Sequence, residues 1–227
     1  FQNTAAVREM AQALERSGAD ACYITDHPAP SNAWRSNGGH DALDPFAALS
    51  FVAAATDKIR LHTNLVVLPY RNPFISAKAA TTVDVLSNGR LIMGIGVGYQ
   101  PVEYAALGVD FDKRGPDTDE ALRAMKAAWS EEVVSLKGRT WDASEGVKIN
   151  PKPVQKPNPP IWVGGNSERA IRRAAELCNG WSPFFAGGGM SKATGTDEMS
   201  SLDHVRTKVG QLQDYLGKYG RKGPFDI

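Results

Sequence analysis

Val85-Leu86-Ser87-Asn88-Gly89-Arg90-Leu91-Ile92-Met93-Gly94-Ile95-Gly96-Val97-Gly98-Tyr99 is the stretch that decides the fold. Asn88-Gly89 signals a tight turn, and Leu91-Ile92-Met93 is an apolar run of buried-strand length. Gly94, Gly96 and Gly98 then fall on alternate positions. Glycine gives a strand no side chain to pack and costs backbone entropy. Three of them at a strand end suit a place where a flat or phosphorylated ligand touches the backbone. A strand that runs out into a flexible loop is the plainer alternative.

Outward from this stretch, helix and strand patterns take turns. Val7, Met10, Ala11 and Leu14 recur at helical spacing, which predicts a helix near 4–17 ended by Gly18. Ala21 to Thr25 reads as a short strand that stops at Asp26-His27-Pro28. Asp44-Pro45 opens a helix, with Asp44 as cap and Pro45 at the first position. Ile59 to Leu68 is a β-rich run, Pro73 starts a helix through Leu86, and the glycine-ended strand follows. Asp117 or Thr118 begins a helix carrying Leu122, Met125 and Trp129. Proline-rich Asn150 to Pro160 reads as an extended connector. Pro160 to Val163 is a strand ending in Gly164-Gly165, Ser167 starts a helix to Cys178, and Gly180 to Phe185 is another short strand. Leu202, Val205, Val209, Leu212 and Leu216 mark a last helix.

Such alternation argues for a parallel sheet covered by helices, either an open doubly wound sheet or a closed (β/α)8 TIM barrel. Polar or glycine residues stand at several strand ends: Asp26-His27, Pro69-Tyr70-Arg71, Gly96-Val97-Gly98 and Gly164-Gly165-Asn166-Ser167. Chemistry drawn from many strand ends is the habit of the barrel, whereas a nucleotide-binding doubly wound fold gathers its glycines in the first turn. The expectation is therefore an α/β barrel forming a single domain over 1–227. Five strands and the start of a sixth can be counted, so an eight-stranded barrel would lack its first strand and its last. The absent initiator Met and the strand-like Pro224 to Ile227 give the same impression of cut ends.

Composition narrows the function. The formal net charge is +1, which disfavours nucleic acid or an acidic membrane as main partner. Cys22 and Cys178 have no CxxC spacing and sit in apolar contexts, as buried free thiols of a reducing cytoplasm do. No run approaches membrane-span length and no secretory leader pattern is visible, so a cytoplasmic location is expected.

Asp26-His27-Pro28-Ala29-Pro30, Pro69-Tyr70-Arg71-Asn72-Pro73, Asp84 to Arg90, Gly96-Val97-Gly98-Tyr99 with Glu103-Tyr104, and Gly164-Gly165-Asn166-Ser167 occur in that order. Together they resemble the bacterial luciferase-like monooxygenase superfamily. Leu107-Gly108-Val109-Asp110-Phe111, Arg114-Gly115 and Asp119-Glu120 resemble its branch of deazaflavin (coenzyme F-420)-dependent oxidoreductases. The resemblance implies a flavin-type cofactor, coenzyme F-420 or alternatively flavin mononucleotide (FMN), and no metal.

It also implies roles. His27 would lie beside the reacting face of the cofactor, a plausible proton donor or acceptor, with Asp26 orienting it. The alternative is an ordinary strand-to-loop turn. Asn64 and Leu65 would form a non-proline cis peptide supporting the central ring. Gly164, Gly165, Asn166 and Ser167 join a strand to a helix start, where bare N–H groups favour an anion. Gly96, Val97, Gly98 and Tyr99 would add a second cradle. Arg169, Arg172 and Arg173 add charge nearby, the last two equally readable as a solvated helix face. His40, His62 and His204 read as ordinary surface or core. Relatives that oxidise sugar phosphates carry a carboxylic acid directly after the Gly-x-Gly unit. Here Tyr99 stands there, a far weaker acid, and Glu103 is the nearest carboxylate, equally suited to a structural role.

Three readings follow: hydride transfer between deazaflavin and a small organic substrate, an FMN monooxygenase fed reduced flavin by a partner reductase, or a non-catalytic flavin-binding protein. Specificity would come from the loops Ser31 to Asp41 and Ala186 to Asp197. The helix at 44–56 is apolar almost all round and the one at 73–86 is rich in small residues, which predicts a homodimer through both.

Overall fold

The computed structural model describes residues 3–227. In chain order the elements are α1 (Thr4–Arg16), β1 (Ala21–Ile24), α2 (Asn32–Ser36), α3 (Pro45–Ala55), β2 (Arg60–Thr63), β3 (Val66–Val67), α4 (Pro73–Leu86) and β4 (Leu91–Gly96). Then come α5 (Pro101–Ala106), α6 (Arg114–Ser130), β5 (Ile161–Gly164), α7 (Glu168–Leu177), β6 (Gly180–Ser182), α8 (Gly188–Thr194) and α9 (Leu202–Lys218).

Local chemistry sets most helix starts. Asn3, Asp44, Asn72 and Ser167 each accept a hydrogen bond from a first-turn N–H, and proline fills the first position of α3 and α4. The expected start of α6 at Asp117 or Thr118 is corrected to Arg114. Pro116 lies in the first turn, where a missing N–H breaks no intrahelical bond, so the helix runs through it.

The strands pair in the order β1-β2-β4-β5-β6, with β3 also on β4, and every ladder is parallel. Strand order follows chain order without a reversal. A doubly wound sheet needs a switch point, and this sheet has none; the topology is that of a β/α barrel. Beyond β6, Asp226 makes an isolated parallel bridge to Gly180.

Alternation along the strands gives the sheet two unlike faces. Leu61, Met93, Ile95, Ile161, Val163 and Trp181 pack with the helices in one core, and Cys22 and Cys178 are buried free thiols within it. Burial pushes the Cys178 thiol up to about 12, as befits an inert packing residue. The other face carries His62, whose ring centroid lies 5.2 Å from that of Trp162. A Cβ on Gly94 would sit 2.0 Å from the Thr63 carbonyl and 2.4 Å from His62 Nε2. Gly94 is therefore an allowance for packing, where the sequence suggested an approach for ligand.

The Asn88-Gly89 turn is built as its residues predict. Asn88 and Gly89 take positive φ values of 55° and 81°. Arg90 then donates to the carbonyls of Ala53, Thr56, Ile59 and Ser87, tying the end of α3 to β2. Buried Asp84 accepts from the Gln155 backbone and side-chain amides, pinning the 150–160 connector. α3 is covered on one side by α1, where Arg8 lies over the Phe51 ring, so its apolar circumference is partly spent inside the chain. Exposed apolar surface gathers instead on α4, at Ile75, Val85 and Leu86. Among the described residues no helix is long and apolar enough to cross a membrane.

Candidate active site

Several strand ends converge on one cleft of about 240 Å³. β1 delivers Thr25, Asp26 and His27. Beyond β2 come Asn64 and Leu65, joined by a cis peptide, and then Val67. β4 delivers Gly96, Gly98 and Tyr99, and β6 adds Ser182 and Phe184.

Asp26 and His27 are neighbours in sequence but their partners lie apart. Asp26 is buried; Arg71 donates to both of its oxygens at 2.5 and 2.8 Å, and the Val67 N–H donates at 3.0 Å. Successive residues of extended backbone face opposite ways, so the expected orientation of His27 by Asp26 is corrected. The Asp26 carboxylate is spent on the turn around β3.

The carboxylate beside His27 is Glu103 on α5. His27 Nδ1 lies 3.3 Å from Glu103 Oε2 and 3.2 Å from the Gln100 side-chain amide. Glu103 is 1% exposed and also accepts from the Ala29 N–H at 3.2 Å and the Tyr70 hydroxyl at 3.1 Å. A carboxylate only accepts and an amide NH2 only donates, so Glu103 and Gln100 reach Nδ1 with opposite demands, and the tautomer of the ring sets which of the two contacts is a hydrogen bond. Burial and the charge of Glu103 push the Tyr70 phenol well above its usual range, so it remains a donor.

Around His27 stands an aromatic group. Trp34 lies 4.4 Å away between centroids, His40 5.6 Å and Tyr99 6.0 Å. His40 Nε2 is 2.8 Å from Thr25 Oγ1. Burial pushes the Tyr99 hydroxyl up, making it a weaker acid still. Sequence reasoning missed Gln100, Trp34, His40, Ser182 and Phe184. The one available signal was that Trp34 and His40 are the ring-bearing residues of the first strand-end loop.

The two glycine clusters behave differently. Gly96 and Gly98 line the cleft, and Val97 beside them accepts from the Tyr104 hydroxyl at 2.6 Å through its carbonyl. Gly98 has a φ of +70°, and a Cβ there would meet Val67 at 2.8 Å. Gly164 lies under Leu65, which a Cβ would strike at 2.0 Å. Gly165 accepts from Trp181 Nε1 at 2.8 Å, and Ser167 caps α7. Asn166 is fully buried: its side chain exchanges hydrogen bonds with the Phe184 backbone and donates to the Asp197 carbonyl, and its N–H goes to Thr196. This corrects its expected role as a ligand-facing group. Asn166 holds the 184–197 segment.

Arg169, Arg172 and Arg173 line a separate cleft of about 640 Å³ between α6 and α7, together with Arg123 and Trp141. Arg173 is buried and paired with Asp119, which corrects its reading as a solvated face. His62 is buried, and desolvation lowers its pKa to about 4, so it is neutral core as expected.

Residues 2–197 match the family model for luciferase-like monooxygenase. A Mycobacterium tuberculosis protein that carries the name of a coenzyme F-420-dependent oxidoreductase is 31% identical over 187 residues, covering 78% of this chain and 50% of its own length. The FMNH2-dependent dimethylsulfone monooxygenase of Pseudomonas putida is 28% identical over 205 residues, covering 89% of this chain and 53% of its own. Among solved structures, a monooxygenase from Streptomyces bottropensis superposes with a TM-score of 0.79 at 23% identity, covering 97% of this chain and 61% of that one. The chain thus spans about half the length of the two named relatives.

Proposed function

The chain belongs to the luciferase-like monooxygenase family, and on that footing we propose that it is an oxidoreductase transferring hydride between coenzyme F-420 and a small organic substrate, with 1–227 acting as one cofactor-binding domain. The observation that carries this reading is His27, whose Nδ1 faces buried Glu103 and the Gln100 amide, in a cleft rimmed by glycine backbone. The lining suits a flavin-type ring. Leu65, Val67 and Phe184 offer apolar surface, Gly96 and Gly98 leave the backbone bare, and Asn64, Ser182 and Tyr99 offer polar edges. At about 240 Å³ the cleft is below the usual 300–1,000 Å³ of ligand pockets, so it suits the reacting part of the ring rather than a whole cofactor.

When bound, the deazaflavin supplies the hydride acceptor or donor. His27 moves the accompanying proton at Nε2, and Glu103 with Gln100 fixes its ring. Tyr99 shapes the cleft and is a far weaker acid than a carboxylate, which counts against sugar-phosphate substrates. The phosphate end is assigned to the Gly96–Gly98 backbone and to the free N–H groups at the start of α7, near Gly165 and Ser167.

A second reading, an FMN monooxygenase supplied with reduced flavin by a partner reductase, draws support from the Pseudomonas relative. Fluorescence titration with each cofactor separates the two. Deazaflavin binding tighter than FMN is expected; tight FMN binding with no deazaflavin affinity would promote the second. We assign a homodimer to the α3–α4 region, with Ile75, Val85 and Leu86 as its apolar surface.

A further inference from the structure

The glycine rim beyond β4 is held from behind by a single hydroxyl. Tyr104 on α5 is buried, and its hydroxyl donates to the Val97 carbonyl at 2.6 Å. Burial pushes the phenol up, so it stays protonated and remains a donor. Edge contacts with Tyr70 and Phe111 fix its ring, with centroids 4.8 and 5.2 Å away. Arg114 covers the Phe111 ring in turn, 3.8 Å from its centroid.

The peptide bond from Val97 to Gly98 is trans, so the Gly98 N–H points opposite to the Val97 carbonyl. With the carbonyl fixed on Tyr104, the N–H is turned away from that wall. The side it is turned to can be read from Gly96. A Cβ there would stand 3.3 Å from Leu65 and 3.9 Å from the Gly98 nitrogen, and Leu65 lines the cleft. Among the described residues nothing accepts from the Gly98 N–H. A half-buried donor without a protein partner is a place for a ligand acceptor.

Resting on the reading that the cofactor phosphate lies against the Gly96–Gly98 backbone, we propose that Tyr104 is a positioning residue for it, aiming the Gly98 N–H at the phosphate through the Val97 carbonyl. Tyr104 itself is not in the cleft lining. A peptide next to glycine turns over easily, and the turned-over form would present a carbonyl oxygen to the anion. The hydroxyl removes that form before the ligand arrives, so none of the binding energy goes into ordering the peptide.

Tyr104→Phe removes the hydroxyl and keeps the ring in its edge contacts, so the fold should be retained, as chemical denaturation will show. Affinity for coenzyme F-420 should fall about tenfold, the scale of one hydrogen bond to a charged group. The same deazaflavin ring on a bare ribityl chain, without the phosphate, should bind wild type and variant alike. In the chain without cofactor, the Gly98 amide NMR signal should move in Tyr104→Phe, and inorganic phosphate should shift it less there than in wild type. Unchanged affinity for coenzyme F-420, an equal loss for the phosphate-free ring, or an unmoved Gly98 signal would each overturn the role of Tyr104. Failure of the underlying reading shows without any variant, as wild-type protein that binds the two deazaflavins equally well.

Discussion

The ends of β4 and β5 look alike as sequence, Gly94-Ile95-Gly96-Val97-Gly98 against Gly164-Gly165-Asn166-Ser167, yet the folded chain uses them differently. The β4 end gives its backbone to the cleft, at Gly96 and Gly98. The β5 end is largely committed inside the protein: Gly164 under Leu65, Gly165 to Trp181, and Asn166 to the 184–197 segment. Glycine marks where two things come close. Which two is decided by register: Gly164 lies against the Leu65 side chain and serves packing, while Gly96, in the last pair with Val67, and Gly98 beyond it border the cleft.

The largest effect expected from breaking this contrast is at Gly94. A methyl there meets the Thr63 backbone carbonyl, which cannot swing away, so Gly94→Ala should cost about 3 kcal/mol or more in chemical denaturation. Gly187→Ala, with nothing within 4 Å, should stay within about 0.5 kcal/mol.

Next comes His62, the ring that Gly94 accommodates. Desolvation lowers its folded pKa from 6.5 to about 4, so between those values the unfolded chain binds the extra proton. Stability from this group is full above pH 6.5 and is lost as pH falls toward 4, a contribution of about 3 kcal/mol. His62→Phe should flatten that part of the acid-unfolding curve relative to wild type.

A smaller effect than at Gly94 belongs to Gly164→Ala. Its obstacle is the far end of the Leu65 side chain, which can change rotamer, so a loss of about 1–2 kcal/mol is expected. Because Leu65 lines the cleft, cofactor affinity should weaken with it, whereas a denaturation loss equal to that of Gly94→Ala would erase the distinction between the two ends.

Much of this was legible in the sequence because it is local. Caps at Asp44 and Asn72, prolines at helix starts and the Asn88-Gly89 turn depend on near neighbours, and alternation of elements gave the parallel sheet. The short helices α2, α5 and α8 were not legible, since so few residues cannot nucleate a helix without tertiary contacts. Nor was the partner of His27. Asp26 is adjacent in the chain but its carboxylate is bound by Arg71, while Glu103 arrives from 76 residues away, across two strand ends. His40 was passed over for the same reason: only the folded loop brings it to Thr25.

The central claim is that His27 moves a proton during hydride transfer and does not merely line the cleft. Its most direct test is rapid-mixing measurement of deazaflavin oxidation or reduction in wild type and His27→Ala, with cofactor affinity measured in parallel by fluorescence. Near-equal affinity and a transfer rate lower by about 10²–10⁴ are expected in His27→Ala. An unchanged rate, or a loss seen wholly in affinity, would contradict it.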